Sequence, residues 1–373
     1  MAHTMTVDPG RHERLDSTLS IPVPHDMADG PLRLAPGDID AQVTGGILHA
    51  IIHRMERDKP LTLEPGPGAA GGRMSATKGN GTVLIAENGE EITTYHFRDG
   101  SPLPITSKPF FHPLNLEGLS LTREVAPKSA PQPKIDHTHH RSLWVAHGDV
   151  NGTDVWSDEK GHGFQKHVSF TRLFSGPVVA GFQEELTWTD AAGKPVMDET
   201  RLFRAWRGAA AGRFIDLEVT LRATYGPVKL GDTKEGGICS LRIREPLQGD
   251  RDGLMTNAVG GTGEPEIWGQ RSPWLDYSGT LEGKKVGIAV FDHPRSFRYP
   301  THWHARDYGL FTANPFALHD YKSGWSEDGS HQMKRGDSLP FGYRIYLHAG
   351  DRDSARVASH WLNFAYEPRV EVK

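Results

Sequence analysis

The chain has 373 residues, 36% of them hydrophobic, with 42 basic against 47 acidic side chains and a net charge of -5. It can bury a large core, but it carries no clustered positive charge to displace counterions from a nucleic acid. One cysteine, Cys239, excludes an internal disulfide and any cysteine-built zinc or iron–sulfur centre, no apolar run approaches the roughly 18 residues that span a bilayer, and the charged start holds no apolar secretion segment, so a soluble, cytoplasmic protein is expected.

Residues 1–38, rich in Pro, Asp and His, are expected to include a flexible start. Over 40–58, Val43, Ile47, Leu48, Ile51, Ile52 and Met55 fall at helical spacing. Asp40 suits an N-cap and Pro60 a stop, while Gly45-Gly46 weakens the helix. The stretch 64–81, EPGPGAAGGRMSATKGNG, has a linker's composition. The chain therefore divides into an N-terminal extension, 1–81, with a short helix and a Gly/Pro-rich linker, and a larger domain, 82–373.

From Thr82 the character changes to short alternating runs, at 82–86, 92–97, 182–188, 200–206 and 214–221, with further strands predicted at 238–243, 286–291 and 341–347. In 214–221, Phe214, Asp216, Glu218 and Thr220 alternate with Ile215, Leu217, Val219 and Leu221, the pattern of a strand with one wet and one dry face. Asp190-Ala191-Ala192-Gly193-Lys194 between two such runs reads as a hairpin turn. Strands without intervening helices predict an all-β fold, a large antiparallel β-sandwich with a few peripheral helices. One of these is predicted at 353–366, with Val357, Ala358, Trp361, Leu362 and Ala365 on one face. A sandwich edge or exposed face could support an oligomer, and nothing in the sequence chooses among the ways to form one.

Against this frame the stretch 136–156 is unusual, with His137, His139, His140 and His147 beside Asp136, Asp149, Asp154, Arg141, Asn151, Trp144 and Trp156. Only Leu143, Val145, Val150 and small residues there are expected to form ordinary core. Polar groups gather again at Asp232-Thr233-Lys234-Glu235, at 257–277 with Trp268 and Arg271, and at 291–316 with His302, His304, Asp307 and Asn314. Histidine titrates near neutrality and serves as acid or base. Trp and Tyr beside Asp, Asn and Arg suit sugars, whose C–H faces stack on rings while their hydroxyls need fixed donors and acceptors.

Each group has a plainer reading. On a strand, His137 and His139 would share a face and could hold a divalent metal, but H-x-H-H is not a specific spacing, and buried histidines often only bond the backbone. Glu235 could be a general acid or base, or with Lys234 an ordinary solvated residue. His302 and His304 could project together into a cleft or simply flank Trp303. Gly260-Gly261-Thr262-Gly263 lacks the Lys-Ser/Thr and helix of a phosphate loop.

The motifs 136–144 and 147–152, Thr233-Lys234-Glu235-Gly236-Gly237, Trp268-Gly269-Gln270-Arg271, Trp274-Leu275-Asp276-Tyr277 and 291–316, in that order between about Thr82 and Gly350, resemble the bacterial PmoA-like family, labelled "methane oxygenase PmoA". The resemblance implies a galactose mutarotase-like supersandwich whose concave sheet handles a sugar with His and acidic groups, in a setting of sugar catabolism that includes dehydrogenases making keto-sugars. It supplies no established catalytic residue.

The leading expectation is an enzyme that eliminates or hydrolyses a glycosidic bond of a sugar or keto-glycoside, because a ketone acidifies the adjacent C–H. His140 or His147 would be the base and Glu235 or His304 the acid. Arg271 and Asn314 would contact substrate or oxyanion, with Arg141, Asp149, Asn151 and His302 as further substrate contacts and Trp144, Trp268 and Asp307 shaping the pocket. A metal on His137 and His139 would polarise the carbonyl instead. A mutarotase or epimerase needs the same groups without a leaving group, and a non-catalytic sugar-binding module needs only the aromatics and hydrogen bonds.

Overall fold

The computed structural model describes residues 3–66, 71, 73–131, 135–210, 212–321 and 327–373. The alternating runs become strands of two eight-stranded antiparallel sheets. The front sheet runs Trp303–Ala305, Leu310–Ala313, Gly236–Arg242, Leu143–His147, Phe110–Phe111, Glu90–His96, Thr82–Glu87 and Met74–Lys78. The back sheet runs Phe164–Phe174, Val179–Thr189, Pro195–Trp206, Gly212–Arg222, Ser338–Ala349, Lys284–Asp292, Trp274–Leu281 and Leu254–Asn257. Between them lies the main core, with Tyr95, Phe111, Leu143, Phe182, Phe203 and Leu217 among its buried side chains. Phe111 stacks on Phe203 at 4.4 Å, and a fully buried Phe contributes roughly 1.5–3 kcal/mol. The fold is thus an all-β antiparallel sandwich. The hairpin at Asp190 forms as expected, its carboxylate accepting from the backbone N–H groups of Ala192 and Lys194, each at 2.9 Å.

A charged network is sealed inside this core. Arg201 donates to Glu199 at 2.7 Å, to the Tyr95 hydroxyl at 2.8 Å and to Gln165 at 3.2 Å. Tyr95 donates to Glu184, Trp188 donates to Glu199, and His167 bonds the other oxygen of Glu184. Burial of an ion costs several kcal/mol unless partners repay it, and here each charge is met by hydrogen bonds.

The helix expected over 40–58 is a correction. Ile39–Thr44 and Ile47–Met55 are antiparallel strands joined by Gly45-Gly46, whose φ of +59° and +73° are those of a tight hairpin turn. The helical spacing arose because the second strand is covered on both sides. Leu48, Ala50 and Ile52 fill the core of a seven-stranded N-terminal sheet. Ile51 points the other way, into a second cluster with Phe174, Trp206, Phe214, Phe291 and Tyr346 on the outer face of the back sheet. The N-terminal sheet also takes in Met5–Asp8, Arg14–Pro22, Gly30–Ala35, Leu61–Gly66 and the C-terminal strand Arg369–Val372, so much of 1–38 is ordered strand. The expected linker holds the ends of strands at Gly66 and Met74–Lys78, and its residues 67–70 and 72 lie outside the described residues.

The N-terminal layer also changes the expectation for 214–221. Asp216 is buried rather than wet, bonded by Arg344 at 2.6 Å and by the Trp206 indole at 2.8 Å, while Arg344 reaches Thr18 of the N-terminal sheet at 2.7 Å. The final helix is shorter than expected, Val357–Ala365. It buries Val357, His360, Asn363, Phe364 and Ala365, whereas Ala358 is exposed and Trp361 and Leu362 are half-buried. No helix among the described residues is long and apolar enough to cross a membrane.

Candidate active site

The strand Leu143–His147 shows why the histidine-rich stretch ends up on the outer face of the front sheet. Leu143 and Val145 point inward to the main core. Trp144 and Ala146 point outward, where they pack with Phe110, Leu310, Leu103 and Trp156 in a small outer cluster. Trp144 and Trp156, expected to be polar-site aromatics, are therefore core; Trp144 is fully buried and offers no face to a sugar.

On this cluster rests a column of parallel rings. Tyr308 stacks on His137 at 5.3 Å and 9°, His137 on His140 at 4.7 Å and 2°, and His140 on Trp144 at 5.5 Å and 18°. The strand expected through His137 and His139 is a turn instead. His137 has φ +45°, and the His140 N–H donates to the His137 carbonyl at 2.9 Å. Asp136 staples the turn, accepting from Arg123 at 2.7 Å and Arg242 at 2.7 Å and bonding His137 Nδ1 at 2.8 Å. These partners hold its carboxyl well below the usual carboxylate range against the opposing effect of burial.

Of the two histidines assigned to a metal, His137 meets His139 edge-on at 5.9 Å and lies outside the group whose ligand atoms converge. The ligand atoms that converge belong to His139, His140 and Glu235, all within 4.8 Å of one another, a grouping that could hold a metal ion. Glu235 arrives from the loop before Gly236–Arg242. Its backbone carbonyl accepts from the Gly148 N–H at 2.6 Å, and among the described residues its carboxylate makes no hydrogen bond. Burial raises its pKa. Burial also lowers His139 to about 4, with Lys108 adding to the effect, and His304 to about 3. His140 is pushed well below its ordinary value by burial and by the neighbouring His139, His137 and Arg242. All three imidazoles are neutral at pH 7.

The hydrogen bonds set their tautomers. His304 Nδ1 lies 2.6 Å from the Lys234 carbonyl, which only accepts, so this nitrogen carries the proton and Nε2 the lone pair. At His140 the order is reversed. Arg242 donates to Nδ1 at 3.2 Å, an arginine has no acceptor to offer, and the proton of the neutral ring is on Nε2. That Nε2 is buried without a partner among the described residues. Beside the column opens a cleft of about 750 Å³ lined by Arg123, Asp136, Arg242, Arg244, Gln248 and Tyr308. A second cavity, about 220 Å³, lies under the N-terminal sheet, but its Asp216, Arg344 and Trp206 are bonded to one another.

Other expected site residues hold the frame. His147 is fully buried, donates from Nε2 to the Gly231 carbonyl at 3.0 Å and packs edge-on to Phe316. Asp149 and Asn151 build the adjoining turn, accepting from Gly152 at 2.8 Å and Lys229 at 2.7 Å. Arg141 is spent on Asp158 at 3.0 Å. Arg271 binds the carbonyls of Arg298, Tyr299 and Pro300. Asn314 is buried and donates to the carbonyls of Thr233 and Lys234, which fixes the loop that carries Glu235. His302 bonds the Gly269 carbonyl and stacks on Tyr321. Asp307 accepts from the Glu264 N–H. Trp268 is half-buried, its ring edge-on to His304 at 4.6 Å and covered by Arg306 at 3.8 Å.

Sequence reasoning did not select Arg242, Tyr308 or Lys108. Arg242 is the one charged residue in the strand GGICSLR, which was a signal. Its use depends on that strand pairing with Leu143–His147, which local pattern does not encode. Lys108 is buried, donating to the Trp156 carbonyl and Ser107 with Asp158 at 3.7 Å, and burial lowers it to about 8.

A family model described as "Family of unknown function (DUF6807)" matches residues 82–362. The chain belongs to this family. The description assigns no activity and carries no PmoA label. No curated protein matches the chain. Among solved structures, a protein of glycosyl hydrolase family 38 from Enterococcus faecalis is similar at 9% identity and TM-score 0.46, over 100% of this chain and 47% of that one. An alpha-mannosidase from Enterococcus faecalis V583 gives 9% identity and TM-score 0.42, over 100% and 46%. The DUF6807 chain thus spans about half the length of these structures.

Proposed function

We propose that this DUF6807 protein is a carbohydrate-active enzyme that cleaves or eliminates a glycosidic bond of a sugar or keto-glycoside by acid/base chemistry at Glu235, His140 and His304. The observation that carries the reading is the convergence of two neutral imidazoles with a half-buried carboxyl that makes no hydrogen bond among the described residues, next to a ring column whose Tyr308 and Asp136 line an open cleft. Burial raises the Glu235 carboxyl above its ordinary value, and a carboxyl shifted upward is a better proton acceptor than a solvated one, as general base catalysis requires. In an elimination, Glu235 would take the proton from the carbon next to a carbonyl and the electron pair would move onto the carbonyl oxygen; its return would form the C=C bond as the bond to the aglycone oxygen breaks, and that oxygen would take the proton back from Glu235.

The cleft supports a neutral polyhydroxylated substrate. Arg123, Arg242 and Arg244 line it together with Glu124, Asp136 and Glu245, so the lining offers donors and acceptors with no excess of positive charge to favour a phosphate. The aromatic ring that lines the cleft is Tyr308, which the Arg242 guanidinium meets at 4.5 Å and His137 stacks on at 5.3 Å. A binding module is less favoured, since Trp144 is sealed in the core. A panel of aryl glycosides and their keto derivatives tests the reading. Turnover that falls at least about 100-fold in Glu235→Gln and His140→Asn with ligand binding retained supports it. Sugar binding without turnover of any panel member sinks it in favour of a module.

A further inference from the structure

We propose that Arg242 is a positioning residue that holds His140 as an Nε2–H donor, which makes the His139/His140/Glu235 group a seat for a substrate or water oxygen rather than for a cation. This rests on the acid/base reading of the same site and assigns its parts.

Three observations carry it. Arg242 is itself rigidly held, with Asp136 Oδ2 at 2.7 Å and the Tyr308 ring under its guanidinium at 4.5 Å, and it donates to His140 Nδ1 at 3.2 Å. The imidazole plane is clamped between His137 at 4.7 Å and Trp144 at 5.5 Å, and within that plane the Arg242 N–H favours the orientation that turns Nδ1 toward it. The opposite nitrogen, Nε2, is buried and without a partner, although a buried unmet donor costs about 1–3 kcal/mol.

A cation would need a lone pair from His140, and neither nitrogen offers one. Nδ1 is occupied by the guanidinium N–H, and Nε2 bears the proton. Metal-bound histidines show the opposite arrangement, in which the distal N–H is given to a carboxylate or carbonyl. An oxygen fits what is present. It accepts from His140 Nε2–H and, if it carries a proton, donates to Glu235. Ligand atoms spread within 4.8 Å suit hydrogen bonds of about 2.8 Å without the contraction that metal bonds of about 2.1 Å demand. For a carbonyl substrate, the same N–H stabilises the charge that develops on oxygen as Glu235 removes the adjacent proton.

The test reads the tautomer directly, by long-range ¹H–¹⁵N correlation on the full chain labelled at histidine, with His140→Asn to assign the signals. The expected wild-type spectrum at neutral pH has a pyridine-type Nδ1 and a pyrrole-type Nε2 at His140. Arg242→Met shifts the pattern toward the other tautomer and tightens zinc at least about tenfold, while Arg242→Lys keeps the wild-type pattern in part. A wild-type Nδ1–H pattern overturns the proposal, as does stoichiometric zinc in the wild-type protein lost on His140→Asn. The wild-type measurement stands if Arg242→Met does not fold. No turnover enters it, so its failure is distinct from failure of the enzymatic reading.

Discussion

Two polar clusters of this protein are built from the same residue types and behave as opposites. Inside the sandwich, Arg201, Glu199, Glu184, Tyr95, His167, Gln165 and Trp188 form a closed network in which none of the buried side-chain N or O atoms is left without a partner. On the outer face of the front sheet, His140 Nε2, Arg242 Nε and the indole nitrogens of Trp144 and Trp156 are buried without partners among the described residues, where the Glu235 carboxyl also makes no hydrogen bond. A structural network completes its hydrogen bonds because each omission costs stability. A site that binds something leaves groups for the ligand to complete. The presence of buried charge therefore says little about function, and its incompleteness says more.

The comparison breaks first at Arg201. Arg201→Met leaves Glu199 and Glu184 uncompensated in the core, and is expected to cost about 3–5 kcal/mol in denaturant unfolding. If the variant lost less than about 1 kcal/mol, the inner network would not be the structural partner of the pair.

Glu235→Gln should do the reverse. Its carboxylate has no partner to lose, so unfolding free energy is expected to stay within about 0.5 kcal/mol of wild type. Turnover should fall at least about 100-fold and lose the ionisation that burial raises above the ordinary carboxyl range. Equal losses of stability and activity would mean that Glu235 belongs to the frame.

Acid sharpens the contrast through titration. His139 and His147 are lowered to about 4 and His304 to about 3, each chiefly by burial. A base depressed in the folded state contributes stability that is present above its unfolded value, near 6.5, and is lost as pH falls through the folded value. Stability should therefore drop between about pH 6.5 and 3, and His304→Asn should flatten part of that slope. Glu184 in the inner network is raised by burial, so its effect has the other sign. Its contribution is present at low pH and is lost as pH rises through its folded value. Thermal unfolding across this range checks both, and an unchanged slope in His304→Asn would show that this ring stays charged.

How far these regions could be read beforehand follows from what sets them. The back-sheet strands were legible because Val179–Thr189 and Pro195–Trp206 carry their alternation and their turn within a few residues of sequence. The N-terminal sheet was not, because Ile47–Met55 is buried on both faces and the resulting apolar pattern imitates a helix. In the site, the stretch around His137–His140 stood out by composition alone, as did Glu235. Which histidines meet was hidden, since it depends on a left-handed turn at His137 and on the pairing that brings Arg242 beside His140. Density of polar side chains also misled. His147, Asp149, Asn151, Arg271 and Asn314 look like site residues in sequence, and each is bonded to backbone groups, although His147 uses only its Nε2.

That last group yields the smallest expected effect. Arg271 is exposed, yet its guanidinium gathers the carbonyls of Arg298, Tyr299 and Pro300 at 2.8–3.2 Å, pinning the loop that leads to His304. Those carbonyls can turn to water when the side chain is removed, so Arg271→Ala should cost only about 1 kcal/mol of stability. If the loop serves the site only by holding His304 in place, kcat/KM should change by less than about threefold, or roughly 0.7 kcal/mol of transition-state stabilisation. A selective rise in KM, with stability unchanged, would instead place Arg271 against the substrate and extend the site beyond the histidine column toward the 298–302 loop.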